Sequence, residues 1–222
     1  MSGRVSTGSR VLDDFLGGGF ESGIISEIYG EPGSGKTNLV LFTALTNSSH
    51  GKVIFLDTEG VSPDRLAQMT GPEAIPSNIK FFRMKNYEEQ LESVPKILNL
   101  AQSMRDVVLI IVDTITAHYR AEREVRRELR KKTSNTLLTQ VEMLSSTAAT
   151  LDVPVLMVNQ VYMDKTTNEV MPVGGSALSH MAKAIFKIEK SGGGVRELVV
   201  VKHRSLPEGI RCRFRITERG IE

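Results

Sequence analysis

The sequence predicts an α/β fold, in which a mostly parallel sheet carries helices on both faces and ends in an antiparallel edge. Three observations predict it. Short apolar segments alternate with helical patterns from residue 24 to residue 159, which is the order of a doubly wound sheet. A glycine-rich loop joins the first apolar segment to the first helical pattern. Near the C-terminus, apolar segments follow one another without helices between them, which is typical of antiparallel strands.

The glycine-rich loop, GEPGSGKT, lies between the apolar run Ile24–Tyr29 and the helical stretch Asn38–Leu45. Its pattern, G-x-x-x-x-G-K-[ST] between a strand and a helix, is that of a phosphate-binding loop. Backbone N–H groups and the positive end of the helix surround a polyphosphate in such loops. Lys36 can reach the β- and γ-phosphates, and Thr37 can bind Mg²⁺. The predicted nucleotide-binding residues of this segment are Gly30, Glu31, Pro32, Gly33, Ser34, Gly35, Lys36, Thr37 and Asn38.

Three further segments predict buried strands: Lys52–Asp57, Val107–Asp113 and Val153–Asn159. Each is apolar almost throughout, as in parallel strands that are covered on both faces. The helical patterns between the strands cover Pro63–Thr70, Tyr87–Met104 and a long stretch from about Ala121 to Leu151. Right-handed crossovers then place these helices on both sides of the sheet.

The C-terminal part predicts three strands, Ala184–Glu189, Arg196–Lys202 and Ile210–Ile216. Turn residues separate them at Ser191–Gly194 and Pro207–Gly209. We expect these strands to form the antiparallel edge of the sheet. The chain shows no repeat or low-complexity linker, so we expect residues 1–222 to form a single domain.

Composition limits the possible functions. The net charge of the 222 residues is +2, so binding to nucleic acid would require a local basic patch. The single cysteine, Cys212, excludes an internal disulfide and fits a reducing cytosol. The N-terminus lacks the apolar core of a signal peptide, and the sequence has no apolar run long enough to span a membrane. We therefore expect a cytoplasmic protein without membrane contact.

Polar residues follow the predicted strands, at the sheet edge where α/β proteins bind ligands. Asp113 ends one strand and could hold Mg²⁺ together with Thr37. Glu59 follows another strand and could orient or deprotonate an attacking water, although a solvated acid in a turn is an equally good interpretation. Gln160 could report a γ-phosphate through its amide, or it could satisfy backbone groups at the strand end.

A basic segment follows the Asp113 strand. Arg120–Lys132 contains seven basic and three acidic residues. Four of its arginines share one helical face by their spacing of i, i+3, i+4 and i+7, and such a stripe can neutralise phosphates and release counterions. A solvated helix face with Glu–Arg pairs is the alternative. The predicted DNA-binding residues are Arg120, Arg123, Arg126, Arg127, Arg130, Lys131 and Lys132.

Five further segments of the chain match a known family in sequence: Ser6–Phe20, Asp57–Leu66, Asp113–Arg120, Val158–Val161 and Phe214–Ile221. With the glycine-rich loop between the first two, they resemble the RecA/RadA recombinase family, and most closely its short archaeal paralogues. The resemblance covers nearly the whole chain, with the segments in the same order. It implies a RecA-like P-loop ATPase core that binds ATP and Mg²⁺.

The resemblance also implies roles for single residues around the loop. Lys36, Glu59 and Gln160 would be catalytic, with Glu59 as the carboxylate that activates water and Gln160 as the sensor of the γ-phosphate. Arg65 would stack on the adenine base through its planar guanidinium, a geometry that lysine does not offer.

Three C-terminal residues are candidates for action across a subunit interface. Lys202 and Arg204 resemble a K-x-R pair that reaches a neighbouring subunit's γ-phosphate in related ATPases. On a strand both side chains would point the same way and could meet one anion; a solvated strand face is the alternative. Pro207, in the following turn, would cap a neighbour's nucleotide.

The function implied is that of an accessory or mediator protein in homologous recombination and DNA repair. Such a protein binds single-stranded DNA, hydrolyses ATP weakly in a DNA-dependent manner, and assists a RadA-type recombinase. We expect neither the family's N-terminal helix-hairpin-helix domain nor its Phe-x-x-Ala polymerisation motif, and Val161–Val173 is shorter than the family's second DNA loop. Self-association is therefore possible, but robust filaments are not expected. The alternatives are a KaiC-like signalling ATPase, which would form hexamers and bind little DNA, and a small-molecule kinase.

Overall fold

A computed structural model describes residues 3–71, 75–125, 130–164 and 168–222. The strands are β1 (Arg4–Val5), β2 (Phe20–Glu21), β3 (Ile25–Tyr29), β4 (Lys52–Asp57), β5 (Ile79–Arg83), β6 (Val107–Asp113), β7 (Val155–Asn159), β8 (Val161–Met163), β9 (Val170–Pro172), β10 (Ala184–Lys190), β11 (Val195–Lys202), β12 (Arg211–Thr217) and β13 (Gly220–Ile221). The helices are α1 (Arg10–Leu16), α2 (Lys36–Asn47), α3 (Pro63–Thr70), α4 (Tyr87–Ser103), α5 (Ala117–Val125), α6 (Arg130–Leu151) and α7 (Gly175–Met181).

Within the described ranges, nine strands form one sheet in the order β13-β12-β11-β10-β3-β7-β6-β4-β5. The strands from β10 to β5 pair in parallel, and β11, β12 and β13 pair antiparallel. The predicted fold class is confirmed. The antiparallel edge begins one strand later than predicted, because β10 lies parallel to β3. The chain reaches β10 through α7, and a crossover of this kind returns a strand in the parallel direction.

The central strands are buried on both faces, as their continuous apolar sequences predict. Alternate residues of each strand enter two separate apolar clusters. Ile54 and Ile110 join the cluster that contains residues of α4 and α6. Phe55 and Ile111 join the cluster that contains residues of α1 and α2. This two-sided cover leaves the carboxyl ends of the strands as the edge where a ligand can bind.

Helix ends carry the sequence signals expected of them. Ser62 caps α3, since its hydroxyl accepts from the N–H of Arg65 at 3.3 Å, and Asn86 caps α4 in the same way. The predicted helix from Ala121 to Leu151 is observed as α5 and α6, and residues 126–129 between them lie outside the described residues. No helix in the described ranges is long and apolar enough to cross a membrane.

Candidate functional site

The glycine-rich loop connects β3 to α2 at the carboxyl edge of the sheet. Gly35 adopts φ 105° immediately before the helix, a conformation that side chains other than glycine rarely take. A Cβ atom at this position would also press on Ile216. No side chain caps the start of α2, so none competes with a ligand for the first N–H groups of the helix. Such free donors, with the helix dipole behind them, suit a phosphate group.

The Lys36 side chain folds back over the glycine-rich loop. Its ammonium donates to the carbonyl oxygens of Gly30 at 2.9 Å and Glu31 at 3.0 Å. Burial lowers the pKa of Lys36, while the negative charges of Glu59 and Asp113 act in the opposite direction. A cation that is partly desolvated and faces two carboxylates is well placed to bind an anionic ligand.

Asp113 and Thr37 meet at the end of β6. Burial raises the pKa of Asp113 to about 6, and a hydrogen bond with the Thr37 side chain counters part of that shift. A carboxylate and a hydroxyl are hard oxygen ligands that suit Mg²⁺. The described residues contain no cluster of three or more His, Cys, Asp or Glu side chains that could hold a metal. An Mg²⁺ ion held by Asp113 and Thr37 would take its remaining ligands from water and phosphate.

Glu59 and Gln160 are brought together although 101 residues separate them. The Gln160 amide donates to Glu59 Oε1 at 2.8 Å. Both line a cavity of about 410 Å³ together with the loop, Lys36 and Thr37. The sequence predicted all these residues separately, and the fold places them around one space.

Two residues that sequence reasoning missed shape the segment carrying Glu59. Asp57 accepts from the N–H groups of Gly60 at 2.7 Å and Val61 at 3.0 Å. The Arg83 guanidinium forms an ion pair with the same carboxylate at 3.0 Å. Asp57 and Arg83 are aligned partners on β4 and β5. Asp57 therefore closes a tight turn around Glu59, and Arg83 holds the Asp57 carboxylate from the neighbouring strand.

Two more cations hold the glycine-rich loop from outside. Lys190 donates to the carbonyl oxygen of Pro32 at 2.7 Å. Arg196 donates to the carbonyl oxygen of Ser34 at 3.0 Å. They lie at the end of β10 and the start of β11. No local sequence signal connects these strands with the loop.

Comparison with known proteins agrees with this geometry. A family model described as Rad51 matches residues 3–222. The chain belongs to the Rad51 family. This confirms the resemblance to RecA/RadA recombinases, whose short archaeal paralogues are named RadB.

Several proteins similar to this chain carry the RadB name. The "DNA repair and recombination protein RadB" of Methanococcoides burtonii is 43% identical over 215 residues, which cover 96% of this chain and 94% of the relative. The protein of that name from Thermoplasma acidophilum is 37% identical over 219 residues, 98% of this chain and 93% of the relative. The crystal structure of a RadB recombinase superposes with a TM-score of 0.82 at 38% identity and covers 98% of both chains.

Arg65, the predicted adenine-stacking residue of this Rad51-family chain, ties three elements together. Its guanidinium donates to Asn38 Oδ1 at 2.5 Å on α2 and to the carbonyl oxygens of Thr217 at 2.8 Å and Glu218 at 3.0 Å. It therefore lies between the start of α2 and the turn after β12. Stacking on adenine stays a prediction.

The predicted pair Lys202 and Arg204 does not lie on one strand. β11 ends at Lys202, so the alternation argument that aimed both side chains at one anion is wrong. Lys202 donates to the carbonyl oxygen of Ala182 at 2.8 Å, whereas Arg204 pairs with both carboxylate oxygens of Glu21. Pro207 is exposed in the following turn. Their action on a neighbouring subunit of this Rad51-family protein stays a prediction.

The predicted DNA-binding stripe is described only in part. Arg126 and Arg127 lie outside the described residues, and only the helical backbone is described at Arg123, Arg130, Lys131 and Lys132. Arg120 lines the cavity of about 410 Å³ described above and also a neighbouring cavity of about 560 Å³. The segment Val161–Val173, which corresponds in position to the family's second DNA loop, contains the hairpin β8–β9. Its side chains Tyr162, Met163 and Met171 are exposed. Residues 165–167 at its tip are outside the described ranges.

Proposed function

We propose that this protein is an ATP- and DNA-binding accessory of homologous recombination and DNA repair. It binds single-stranded DNA, hydrolyses ATP weakly when DNA is present, and assists a RadA-type recombinase in the cytoplasm. The observation that carries the proposal is the convergence of Lys36, Thr37, Asp113, Glu59 and Gln160 at one edge of the sheet. The names of the relatives supply the biological setting.

ATP would lie with its phosphates on the glycine-rich loop, where Lys36 exchanges its carbonyl partners for phosphate oxygens. Thr37 and Asp113 would hold Mg²⁺, which neutralises charge on the phosphate oxygens when bound. Glu59 would accept a proton from the attacking water. Because Gln160 donates to Glu59, a γ-phosphate that attracts the Gln160 amide would release this carboxylate for the water.

Two substitutions test the nucleotide site. We expect Lys36→Ala to abolish ATP binding, measured by titration calorimetry, because the loop then lacks its phosphate-binding cation. We expect Glu59→Gln to keep ATP affinity but to lower turnover by about 100-fold or more, the usual contribution of a general base. Unchanged ATP affinity in Lys36→Ala would contradict the loop assignment. Wild-type turnover in Glu59→Gln would leave Glu59 without a catalytic role.

Binding to single-stranded DNA is tested by titration at several salt concentrations. We expect a steep fall of the logarithm of the binding constant with the logarithm of salt concentration, with a slope of about −0.7 for each phosphate contacted. Reversal of Arg126 and Arg127 to Glu should flatten this slope. The matched control reverses Lys80 and Lys96, which lie on β5 and α4 and should leave the slope unchanged. Absence of binding at low salt would reject the DNA-binding role.

The KaiC-like alternative has no support among the relatives named above, which are DNA repair and recombination proteins by name. Hexamers that form with ATP and do not bind DNA would indicate the KaiC-like function. Light scattering with ATP, with DNA and with both separates this outcome from an accessory protein that responds to DNA.

A further inference from the structure

Glu27 is an acidic residue in the middle of the central strand β3, and it is fully buried. Its neighbours on the same face of the strand, Ile25 and Tyr29, belong to the apolar cluster that also contains residues of α4 and α6. Burial raises the pKa of Glu27. An isolated charge in such a place is costly unless its partners stabilise it. Glu27 takes no part in the nucleotide chemistry described above.

The strongest partner of Glu27 is Asn159, the last residue of β7. The Asn159 side-chain amide donates to Glu27 Oε1 at 2.7 Å and to the carbonyl oxygen of Val173 at 2.8 Å. The Asn159 side-chain oxygen accepts from the Thr116 hydroxyl at 2.5 Å. An amide has one donating and one accepting end. The acceptor at Glu27 and the donor at Thr116 therefore select one orientation of the Asn159 side chain.

Asn159 immediately precedes Gln160, the predicted γ-phosphate sensor. The Gln160 N–H donates to the Thr116 hydroxyl at 3.4 Å, and the Gln160 carbonyl oxygen accepts from the N–H of Val173 at 2.9 Å. Asn159 also holds the Val173 carbonyl oxygen. The two residues thus fix both sides of the base of the β8–β9 hairpin, from which Gln160 reaches Glu59.

On its other side Glu27 approaches Lys202. Glu27 is aligned with Ile185 on β10, and Ile185 is aligned with Lys202 on β11. Aligned residues of neighbouring strands share a face of the sheet. The Lys202 ammonium and the Ser179 hydroxyl favour the charged form of Glu27, while Lys202 donates to the carbonyl oxygen of Ala182 after α7.

We propose that Glu27 is a positioning residue that acts through Asn159 to set Gln160 and the base of the β8–β9 hairpin for ATP hydrolysis. The inference rests on the proposed ATPase function and adds a residue to it. Loss of the acceptor at Glu27 removes one of the three hydrogen bonds that orient the Asn159 side chain. Asn159 then holds the backbone at Val173 less firmly, and Gln160 shifts relative to Glu59.

The test compares Glu27→Leu with Glu27→Gln. Leucine fills the buried space without an acceptor, whereas glutamine can still accept from Asn159 through its amide oxygen. We expect Glu27→Leu to lower the turnover number for ATP by about 10- to 100-fold, the scale of a misplaced catalytic group, without loss of ATP affinity. Glu27→Gln should restore turnover. Hydrogen exchange at Val173 should become faster in Glu27→Leu, and not in Glu27→Gln.

The control is Thr147→Val, an equally buried and nearly isosteric change on α6 that removes the hydrogen bond from Gln102. It should alter neither turnover nor exchange at Val173. If Glu27→Leu does not fold, Thr116→Val removes the donor to the Asn159 side-chain oxygen and the acceptor of the Gln160 N–H, and it should lower turnover in the same way. Full turnover in folded Glu27→Leu, or in Thr116→Val where that variant replaces it, would overturn the inference. Hydrogen exchange that becomes faster to the same extent in β3, in β7 and at Val173 of the Glu27→Leu variant would also overturn the inference.

A wild-type protein that hydrolyses no ATP under any DNA condition would overturn the proposed function, and this inference with it. Wild-type hydrolysis that is insensitive to Glu27→Leu would overturn the inference alone. The two failures are therefore distinguishable in one set of assays.

Discussion

Asp113 carries its negative charge at a cost to stability. The residue is 2% exposed, and burial raises its pKa to about 6 from the ordinary 3.8. The Asp113 carboxyl group therefore binds a proton more tightly in the folded protein than in the unfolded chain. The contribution of Asp113 to the free energy of unfolding falls as the pH rises from about 4 through about 6. Such a cost is typical of residues that serve function rather than stability, as proposed for Asp113.

Replacement of Asp113 by Asn should therefore stabilise the protein without ligand. At pH 8 we expect the free energy of unfolding, measured by urea denaturation, to rise by about 1–3 kcal/mol, because one pKa unit corresponds to about 1.4 kcal/mol. The gain should shrink as the pH falls towards 4, where Asp113 is protonated in the folded protein. The variant should also lose the Mg²⁺ dependence of ATP binding.

Asp57→Asn is the matched control, since Asp57 is also a buried strand-end carboxylate. Its oxygens accept from two backbone N–H groups and from Arg83, so its replacement should lower stability. A destabilised Asp113→Asn at pH 8 would show that partners which favour the charge of Asp113 outweigh the effect of its burial, and would contradict the prediction.

At the scale of elements, the β10–β11 hairpin holds the phosphate-binding loop. Lys190 and Arg196 bind carbonyl oxygens of Pro32 and Ser34. These oxygens belong to the same peptide groups whose N–H ends would face a phosphate. A loop fixed on its outer side loses less conformational entropy when a ligand binds.

Removal of both cations should weaken ATP binding. We expect Lys190→Ala with Arg196→Ala to lower ATP affinity by about tenfold, because the loop must then order on binding. The control replaces Lys187 and Arg213, which lie on β10 and β12 and form ion pairs with Glu189 and Glu197. That variant removes the same charge and should bind ATP as the wild type does. Equal loss of affinity in both variants would attribute the effect to net charge alone.

The elements that the sequence predicted are those with a local signature. The glycine-rich loop and the apolar strands β4, β6 and β7 were predicted because periodicity and glycine spacing are properties of short segments. β5 was missed because exposed Lys80 and Arg83 interrupt its apolar run, as is usual for an edge strand. The ion pair between Asp57 and Arg83 was missed with it, since it depends on the pairing of β4 with β5.

Contacts between distant segments could not be predicted from the sequence, because they leave no signature within a short segment. The hydrogen bond from Lys190 to Pro32 joins residues 158 positions apart in the sequence, and the one from Asn159 to Glu27 joins residues 132 positions apart. Only the three-dimensional arrangement of the strands brings these groups together. The error at Arg204 has a local cause: the strand ends two residues earlier than the K-x-R spacing suggests.

At the scale of the whole molecule, the candidate intersubunit cation is engaged within its own chain. Arg204 pairs with Glu21 of β2, whose side chain is 6% exposed, while Arg204 itself is 53% exposed. The pair fixes the guanidinium against its own sheet. If Arg204 acts on a neighbour's γ-phosphate, as the sequence predicts, its guanidinium must first leave Glu21, and this ion pair would then compete with the contact between subunits.

Glu21→Gln should therefore release Arg204 for a neighbouring subunit. We expect ATP turnover per molecule to rise more steeply with protein concentration than in the wild type, and light scattering to show larger ATP-dependent particles. Arg204→Ala should remove the concentration dependence, because the cation that acts between subunits is absent. Thermal unfolding of each variant checks that the fold is kept. Turnover that is independent of concentration in all three proteins would show that Arg204 serves only the structure of its own chain.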